Sequence, residues 1–346
     1  MTDKSKPAQP ASVLPDSSYA GKLFPHEIAA ALYVLAGFVM LERLPVTYPR
    51  SAIVLGSLLP SSAVFVIGAA VILLRRRLRK PAMKSGPSVR DELILLARAL
   101  IVLIPTLSIH FLLKSFIHLM NGKNWDHQLY ALDQTIHFGF SPSRFFTALF
   151  ANPFLLAVVD IVYSNLYFVV VVTYTAILLT LPPVSRRLAF ASSYTTIWIV
   201  GSILYLTIPS WGPVFVFSSD FQQTLSYMPL TMKVQRTLFQ ELYSLIAHPL
   251  APRVIKFGSV AAFPSMHLAV TSLFTLASYR ISRRWFLLNL FMVTLMVIGS
   301  IVSGYHYLID DYAGCLIAAG VWFLSLRLFE RRGTELSAGN PAAMDH

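Results

Sequence analysis

Residues 93–118 read LILLARALIVLIPTLSIHFLLKSFIH, an apolar run longer than the about 20 residues that a helix needs to cross a bilayer. Similar runs recur along the chain and together predict about eight membrane-spanning helices. Their predicted ranges are 28–44, 53–74, 93–118, 154–181, 188–208, 260–279, 285–303 and 307–328. The chain is 55% hydrophobic and only 13% charged, which excludes a soluble globular protein. The composition therefore predicts an all-α, polytopic membrane helical bundle.

The segments around these runs suggest how the chain is divided. Residues 1–25 are rich in Pro, Ser and Ala, which predicts a disordered tail rather than a secretion signal or a folded domain. Residues 26–92 are expected to hold two extra helices and a basic loop, residues 93–330 a six-helix core, and residues 331–346 a second disordered tail. Two connections within the core have apolar residues at helical spacing, and we expect both to lie along the membrane surface.

The distribution of charge predicts the orientation of the bundle. A formal net charge of +12 would suggest a nucleic-acid partner in a soluble protein, but the basic residues here fall mostly in short connections between apolar runs. With eight helices, the basic clusters at 75–90, 186–187, 280–284 and 331–332 all lie on one side. The positive-inside rule makes that side cytoplasmic, with both termini. We expect a multi-pass membrane protein with no nucleic-acid partner.

Two histidines at the opposite, extracytoplasmic side are the candidate catalytic residues. They lie in the strings FPSMH at 263–267 and GYHYLID at 304–310. Residues four apart in a helix are about 40° apart around its axis, so we expect Asp310 to lie over His306 and Asp311 to point away. A carboxylate that bonds one ring nitrogen leaves the other free to attack phosphorus. The spacing therefore predicts His306 as a nucleophile that forms a phosphohistidine.

The first string predicts an anion site at a helix start. Pro264 suits the first turn of a helix, where its missing N–H is not needed. Ser265 and the neighbouring amides are then expected to bind phosphate, aided by the helix dipole. His267, in the same turn, can act as the general acid and base. Arg253 and Lys256 lie just upstream, and we expect these cations to bind the phosphoryl group, with Lys256 preferred.

Further candidates for substrate binding lie on other spans. Lys114 shares a helix face with His110 and His118, so it either contacts the substrate or extends to the membrane surface. Tyr163 and Asn165 can hydrogen-bond a polar headgroup, although an aromatic belt predicts tyrosines without any function. The sequence has no carboxylate cluster suited to a divalent metal. We therefore expect metal-independent chemistry without a cofactor.

The two histidine strings together resemble the type 2 phosphatidic acid phosphatase superfamily, and within it the inositol phosphorylceramide synthase-like branch of lipid phosphotransferases. Three other strings also look like that branch: DHQLYALD at 126–133, YSNLY at 163–167 and PSWGP at 209–213. The similarity covers roughly residues 93–328. It implies a six-helix core in which His306 is the nucleophile, Asp310 its activator and His267 the acid and base.

Two elements of that superfamily are missing from this chain. Its simple phosphatases have a lysine with an arginine–proline pair seven residues later, whereas Lys114 has Asn121 at that distance. They also have a serine–arginine pair shortly before the nucleophile, where this chain has Gly299 and Ser300. The absence fits the phosphotransferase-like branch and leaves the phosphate-binding cations unassigned.

Three functions are compatible with these residues. The first is a lipid phosphotransferase, acting in the periplasm or an organelle lumen, that moves a phospho-headgroup from a phospholipid to His306 and then to a lipid or polyol hydroxyl. The second is a lipid phosphate or prenyl diphosphate phosphatase that uses water as acceptor. The third is a transporter with a His/Asp proton relay, but the internal repeat that this class predicts is not evident. Membrane lipids are the expected partners in each case, and the oligomeric state stays open.

Overall fold

A computed structural model describes residues 23–46, 50–78, 87–250, 259–279 and 281–338. The helices are α1 (Pro25–Glu42), α2 (Arg50–Leu78), α3 (Val89–Met120), α4 (Asp126–Ile136), α5 (Pro142–Leu149), α6 (Pro153–Ile161), α7 (Tyr167–Thr180), α8 (Val184–Thr207), α9 (Pro213–Val216), α10 (Gln222–Ser226), α11 (Pro229–Ala247), α12 (Met266–Ser278), α13 (Arg283–Val302) and α14 (Leu308–Ala338). A π-helical segment, Val162–Leu166, joins α6 to α7, and a 3₁₀ turn, Ser218–Phe221, precedes α10.

Seven helical segments in the described part of the chain are long and apolar enough to cross a membrane. They are α1, α2 from Leu58 onward, α3, the continuous unit from α6 to α7, α8, α13, and α14 as far as Phe329. The shorter apolar helix α12 corresponds to the remaining predicted run. The prediction of an all-α, polytopic membrane bundle is therefore confirmed.

The run predicted at 260–279 is helical over a shorter range, Met266–Ser278. Pro264 disfavours helical geometry in the residue before it, and Ser265 is the N-cap, whose hydroxyl accepts the N–H of Leu268. The prediction that Pro264 occupies the first helical turn is therefore wrong, because the helix begins two residues later. The shift leaves the FPS part of the string in a loop that faces the second histidine string.

Helix α12 is the central helix of the bundle. It packs against α8, α13 and α14, and its side chains Leu268, Val270, Leu273 and Phe274 are completely buried. A helix that is buried all round presents no face to lipid, because neighbouring helices cover it. His267, at the start of α12, is thereby placed on the central axis of the bundle rather than at its edge.

Basic side chains from two predicted clusters meet at one end of the bundle. Arg75 from α2 and Arg187 from α8 both pair with Glu92, which lies in the first turn of α3. Lys114 lies near the other end of α3, beside the two histidines. These cationic connections and the histidines are therefore at opposite ends of the helices.

Short helices cover the histidine end. The two connections predicted to be helical contain α4 and α11, so both are confirmed as helices, and α5 is an addition that the sequence did not indicate. Helix α5 begins at Pro142, and the preceding Ser141 is its N-cap, whose hydroxyl accepts the N–H of Arg144. This helix has only eight residues, so its pattern of apolar residues is too short to be recognised in the sequence.

Candidate active site

The two histidines lie side by side although they come from different elements. His267 is in the first turn of α12, and His306 is in the loop between α13 and α14. Their ring centroids are 6.0 Å apart and the ring planes meet at 67°. His306 is 5% exposed, so its ring is shielded from bulk water. A phosphorus atom between these rings would have one imidazole for attack and another for proton transfer.

Asp310 lies next to His306, but the geometry differs from the one predicted. Helix α14 begins at Leu308, so His306 precedes the helix, and the expectation that the two residues share a helix face is wrong. The Nδ1 atom of His306 is 2.9 Å from the carbonyl oxygen of Ala262 and 3.5 Å from Oδ2 of Asp310. The carbonyl oxygen fixes the proton on Nδ1, which leaves the lone pair of Nε2 free.

The charge state of His306 follows from its surroundings. Burial, His267 and Lys114, in that order, lower the pKa of His306 well below its ordinary value. The ring is therefore neutral at physiological pH, as a nucleophile requires. Asp310 is completely buried, and within the described residues its Oδ1 atom has no hydrogen-bond partner. That carboxyl group is close enough to stabilise a positive charge on the His306 ring.

Asp311 binds the end of α13 rather than the ring of His306. It is buried, and its Oδ2 atom accepts a hydrogen bond from Ser300 Oγ at 2.6 Å. The carbonyl oxygen of Ser300 in turn accepts the N–H groups of Tyr305 and His306 at 3.1 and 3.3 Å. Asp311 therefore helps to fix the loop that carries His306.

Tyrosines from the fourth span surround His267. The ring of Tyr163 stacks on His267 with centroids 4.9 Å apart, and its hydroxyl is 3.4 Å from His267 Nδ1. Tyr167 contacts the other part of the ring at 4.8 Å. Tyr163 lies within the π-helical turn Val162–Leu166 and Tyr167 directly follows it; this type of distortion is frequent at functional sites. Asn165 lies in the same turn but is exposed, so it is not brought to the histidines.

Ser265 and Lys114 lie beside the histidine pair. Ser265 is completely buried; its hydroxyl caps α12 and its N–H donates to the carbonyl oxygen of Asp310. The charge of Lys114 contributes to lowering the pKa of His306, and its Nζ lies 5.2 Å from the centre of the Tyr205 ring. It therefore supplies positive charge next to both rings. The predicted cations Arg253 and Lys256 lie outside the described residues.

The neighbours of Lys114 on α3 have structural contacts. A ring nitrogen of His110 is 2.8 Å from Ser202 Oγ, and His118 Nε2 is 2.8 Å from the carbonyl oxygen of Val260. Because His118 binds the chain just before the FPSMH string, it helps to hold that loop in place. Of the three, Lys114 is the residue whose charged group lies over the ring of Tyr205.

The PSWGP loop joins the two histidine loops. The carbonyl oxygen and the hydroxyl of Ser210 accept the N–H groups of Ala262 and Phe263, both at 3.0 Å. Gly212 has a φ of +102°, and an added Cβ would lie 2.5 Å from the carbonyl oxygen of Tyr305, so only glycine fits there. The loop therefore sets the distance between the segments that carry His267 and His306.

Asp126 and Asp133 of α4 bind the PSWGP loop and the chain that follows His306. Asp126 accepts the N–H groups of Trp211 and Gly212 at 2.7 and 2.8 Å and the hydroxyl of Tyr307 at 3.0 Å. Asp133 accepts the N–H of Ile309 at 3.1 Å, which caps the start of α14, and burial raises the pKa of Asp133. Both aspartates are therefore scaffold residues, and their seven-residue spacing in the sequence reflects one inward helix face.

Asp126→Asn is expected to lower the free energy of unfolding by about 2–4 kcal/mol, because an amide cannot accept all three hydrogen bonds of this buried carboxylate. Thermal unfolding in detergent micelles measures the change. Asp220→Asn is the matched control, since Asp220 pairs with the largely exposed Arg144, and we expect an effect below about 1 kcal/mol. Equal effects of the two substitutions would contradict the scaffold role of Asp126.

The comparison with known families agrees with this geometry. The sequence model of the PAP2 superfamily matches residues 127–324, which is more than half of the chain and contains both histidines and Asp310. No curated protein and no solved structure matches the chain significantly. The match begins in α4 and ends in α14, so it covers the central helices of the bundle but not Lys114. The chain therefore belongs to the PAP2 superfamily, a group of phosphatases and phosphotransferases.

Proposed function

We propose that the protein is a lipid phosphotransferase of the inositol phosphorylceramide synthase-like type. It moves a phospho-headgroup from a phospholipid to an alcohol through a covalent intermediate on His306. The observation that carries the proposal is the pairing of two imidazoles with ring centroids 6.0 Å apart, with Asp310 beside one of them. The resemblance of the FPSMH and HYLID strings to that branch supports the transferase rather than a general phosphatase.

In the first step the lone pair of His306 Nε2 attacks the phosphorus atom of the donor lipid. The bond between phosphorus and the lipid oxygen breaks, and its electron pair goes to that oxygen. Protonated His267 gives the oxygen its proton, so the leaving group departs as an alcohol. Lys114 stabilises the charge on the phosphoryl oxygens, and Asp310 stabilises the imidazolium of His306.

In the second step an acceptor hydroxyl takes the place of the departed alcohol. Neutral His267 removes the proton of that hydroxyl while its oxygen attacks phosphorus. The bond between phosphorus and Nε2 breaks, and its electron pair returns to His306. The proton returns to His267 and the lone pair to His306, so both groups are ready for another donor lipid.

The arrangement of charges supports an extracytoplasmic reaction. Arg75 and Arg187 lie at the end of the bundle opposite the histidines. Cationic connections of membrane proteins remain on the cytoplasmic side, so the histidine end faces the periplasm or an organelle lumen. The substrates that such a site meets are the headgroups of the outer or lumenal leaflet.

A phosphatase that acts on a lipid phosphate or a prenyl diphosphate uses the same groups with water as acceptor. The superfamily match is the observation that supports this second function, because it covers phosphatases as well as phosphotransferases. The two functions differ only in whether the second step admits water or an alcohol.

Trapping the intermediate distinguishes these functions. The protein is incubated in lipid nanodiscs with a phospholipid labelled at phosphorus, and the reaction is quenched during turnover. We expect the protein to carry an acid-labile label. A chase with ceramide or another long-chain alcohol should then remove the label as a new lipid at least about tenfold faster than water does. Label that leaves only by hydrolysis would establish the phosphatase instead. Turnover with no labelled protein under any quench would contradict a covalent mechanism.

A further inference from the structure

We propose that the hydroxyl groups of Tyr167 and Tyr205 donate hydrogen bonds to the non-bridging oxygens of the phosphoryl group in transit. This inference rests on the proposed function and adds two substrate-binding residues to it. The ligand class is a tetrahedral or trigonal-bipyramidal oxyanion of phosphorus, held between the tyrosines, Lys114 and the two imidazoles.

Tyr167 and Tyr205 both lie in the region of the histidine pair. Tyr167, from α7, lies against His267 with ring centroids 4.8 Å apart. Tyr205, from α8, has its ring 5.2 Å from Lys114 Nζ. The two tyrosines therefore approach the histidine pair from two helices, and Lys114 approaches it from a third.

Among the described residues, neither the Tyr167 nor the Tyr205 hydroxyl has a hydrogen-bond partner. Both side chains are nevertheless buried, at 6% and 2% exposure. The hydroxyl of Tyr307, by contrast, donates to Asp126 at 3.0 Å. Neither hydroxyl is among the fully enclosed polar atoms that lack a partner, so each touches space that water can enter, and a bound oxyanion would replace that water as the acceptor.

Tyr163 has a different role from the other two tyrosines. An added Cβ at Gly299 would lie 2.6 Å from Cδ2 of Tyr163, so the tyrosine ring occupies the place of any larger side chain there. The hydroxyl of Tyr163 is itself directed to His267 Nδ1, at 3.4 Å. Tyr163 thus packs and orients His267, which leaves the hydroxyls of Tyr167 and Tyr205 as the neutral donors for phosphate.

The chemistry of phosphoryl transfer fits neutral donors together with one lysine. Negative charge in the transition state is spread over the equatorial oxygens, and donors fixed in a site shielded from water stabilise it most. Tyrosine hydroxyls need no counter-ion when the site is empty, whereas buried arginines would. A tyrosine pair with Lys114 therefore suits a site set between membrane helices.

The test uses Tyr167→Phe, Tyr205→Phe and the double variant in nanodiscs. We expect each single substitution to lower kcat/KM about tenfold or more and the double variant about 10²–10³-fold, the range for removing donors to a developing oxyanion. The Kd for orthovanadate, measured directly by titration calorimetry, should rise in parallel. Tyr174→Phe is the matched control: Tyr174 lies seven residues along the same helix, where it stacks on Phe274. It should change each quantity less than twofold.

The outcomes separate the two proposals. If the double variant binds vanadate and turns over within twofold of the unaltered protein, the tyrosine assignment is overturned while the lipid phosphotransferase stands. If His306→Ala retains turnover, the proposed mechanism fails, and the vanadate titration still decides whether the tyrosines bind an oxyanion. Unchanged thermal unfolding in the Phe variants excludes a loss of folding as the cause.

Discussion

His306→Ala is expected to abolish headgroup transfer, with a loss of about 10⁴-fold or more in kcat. Alanine has no lone pair to attack phosphorus, and the remaining groups would have to activate an alcohol or water directly. The measurement is the initial rate of headgroup transfer from a labelled phospholipid in nanodiscs, together with label bound to the protein. Both should disappear, whereas binding of vanadate should weaken only modestly because Lys114 and the tyrosines remain.

His127→Ala is the control for the loss of an imidazole at the same end of the bundle. His127 is exposed on α4 and contacts only the ring edge of Phe217 among the aromatic neighbours described. We expect its turnover to stay within twofold of the unaltered protein. If His306→Ala kept more than about one part in a hundred of the activity, His306 would not be the nucleophile.

The sequence was sufficient to predict most of the membrane helices. The apolar run at 93–118 became α3, Val89–Met120, because Ser88 caps its start and apolar residues continue to its end. Helix α13 similarly agrees with its predicted run to within two residues. Such runs are decisive because a span in lipid has no alternative to a helix for pairing its backbone groups.

The local course of the chain at the site could not be predicted in the same way. The helix start at Met266 depends on the cap at Ser265, and the π-helical turn at Val162–Leu166 has no distinct composition. Asp310 lies near His306 because the loop folds back onto Ala262, not because the two share a helix. The four-residue spacing therefore indicated that His306 and Asp310 lie close together, although the reason was not the shared helix face that we expected.

Contacts between distant segments were the other part hidden from the sequence. Asp126 and Tyr307 are hydrogen-bonded although 181 residues separate them. Tyr167 and Tyr205 come from different spans, and the aromatic content of each span was equally compatible with a membrane-interface belt. Only the packing of α7 and α8 around α12 brings both to the histidines.

His267→Gln is expected to lower kcat by about 10²–10⁴-fold for a phospholipid donor, whose alkoxide leaving group needs a proton in the first step. Glutamine retains much of the volume between Tyr163 and Tyr167 but cannot exchange a proton at neutral pH. For a nitrophenyl phosphodiester the loss in the first step should be less than about tenfold, because nitrophenolate departs without a proton.

The same variant should also reveal the second step. With the nitrophenyl substrate, attack by His306 stays fast while the acceptor hydroxyl lacks its base, so nitrophenol should appear in a burst of about one equivalent per active site. The phosphorylated protein should then accumulate to a higher level than in the unaltered protein, where His267 removes the acceptor's proton. Equal losses for the two leaving groups, with no burst, would mean that His267 only packs the site. A burst with the nitrophenyl substrate, together with a large loss for the phospholipid, would instead mean that the side chain at position 267 donates and accepts the proton on the side of phosphorus opposite His306.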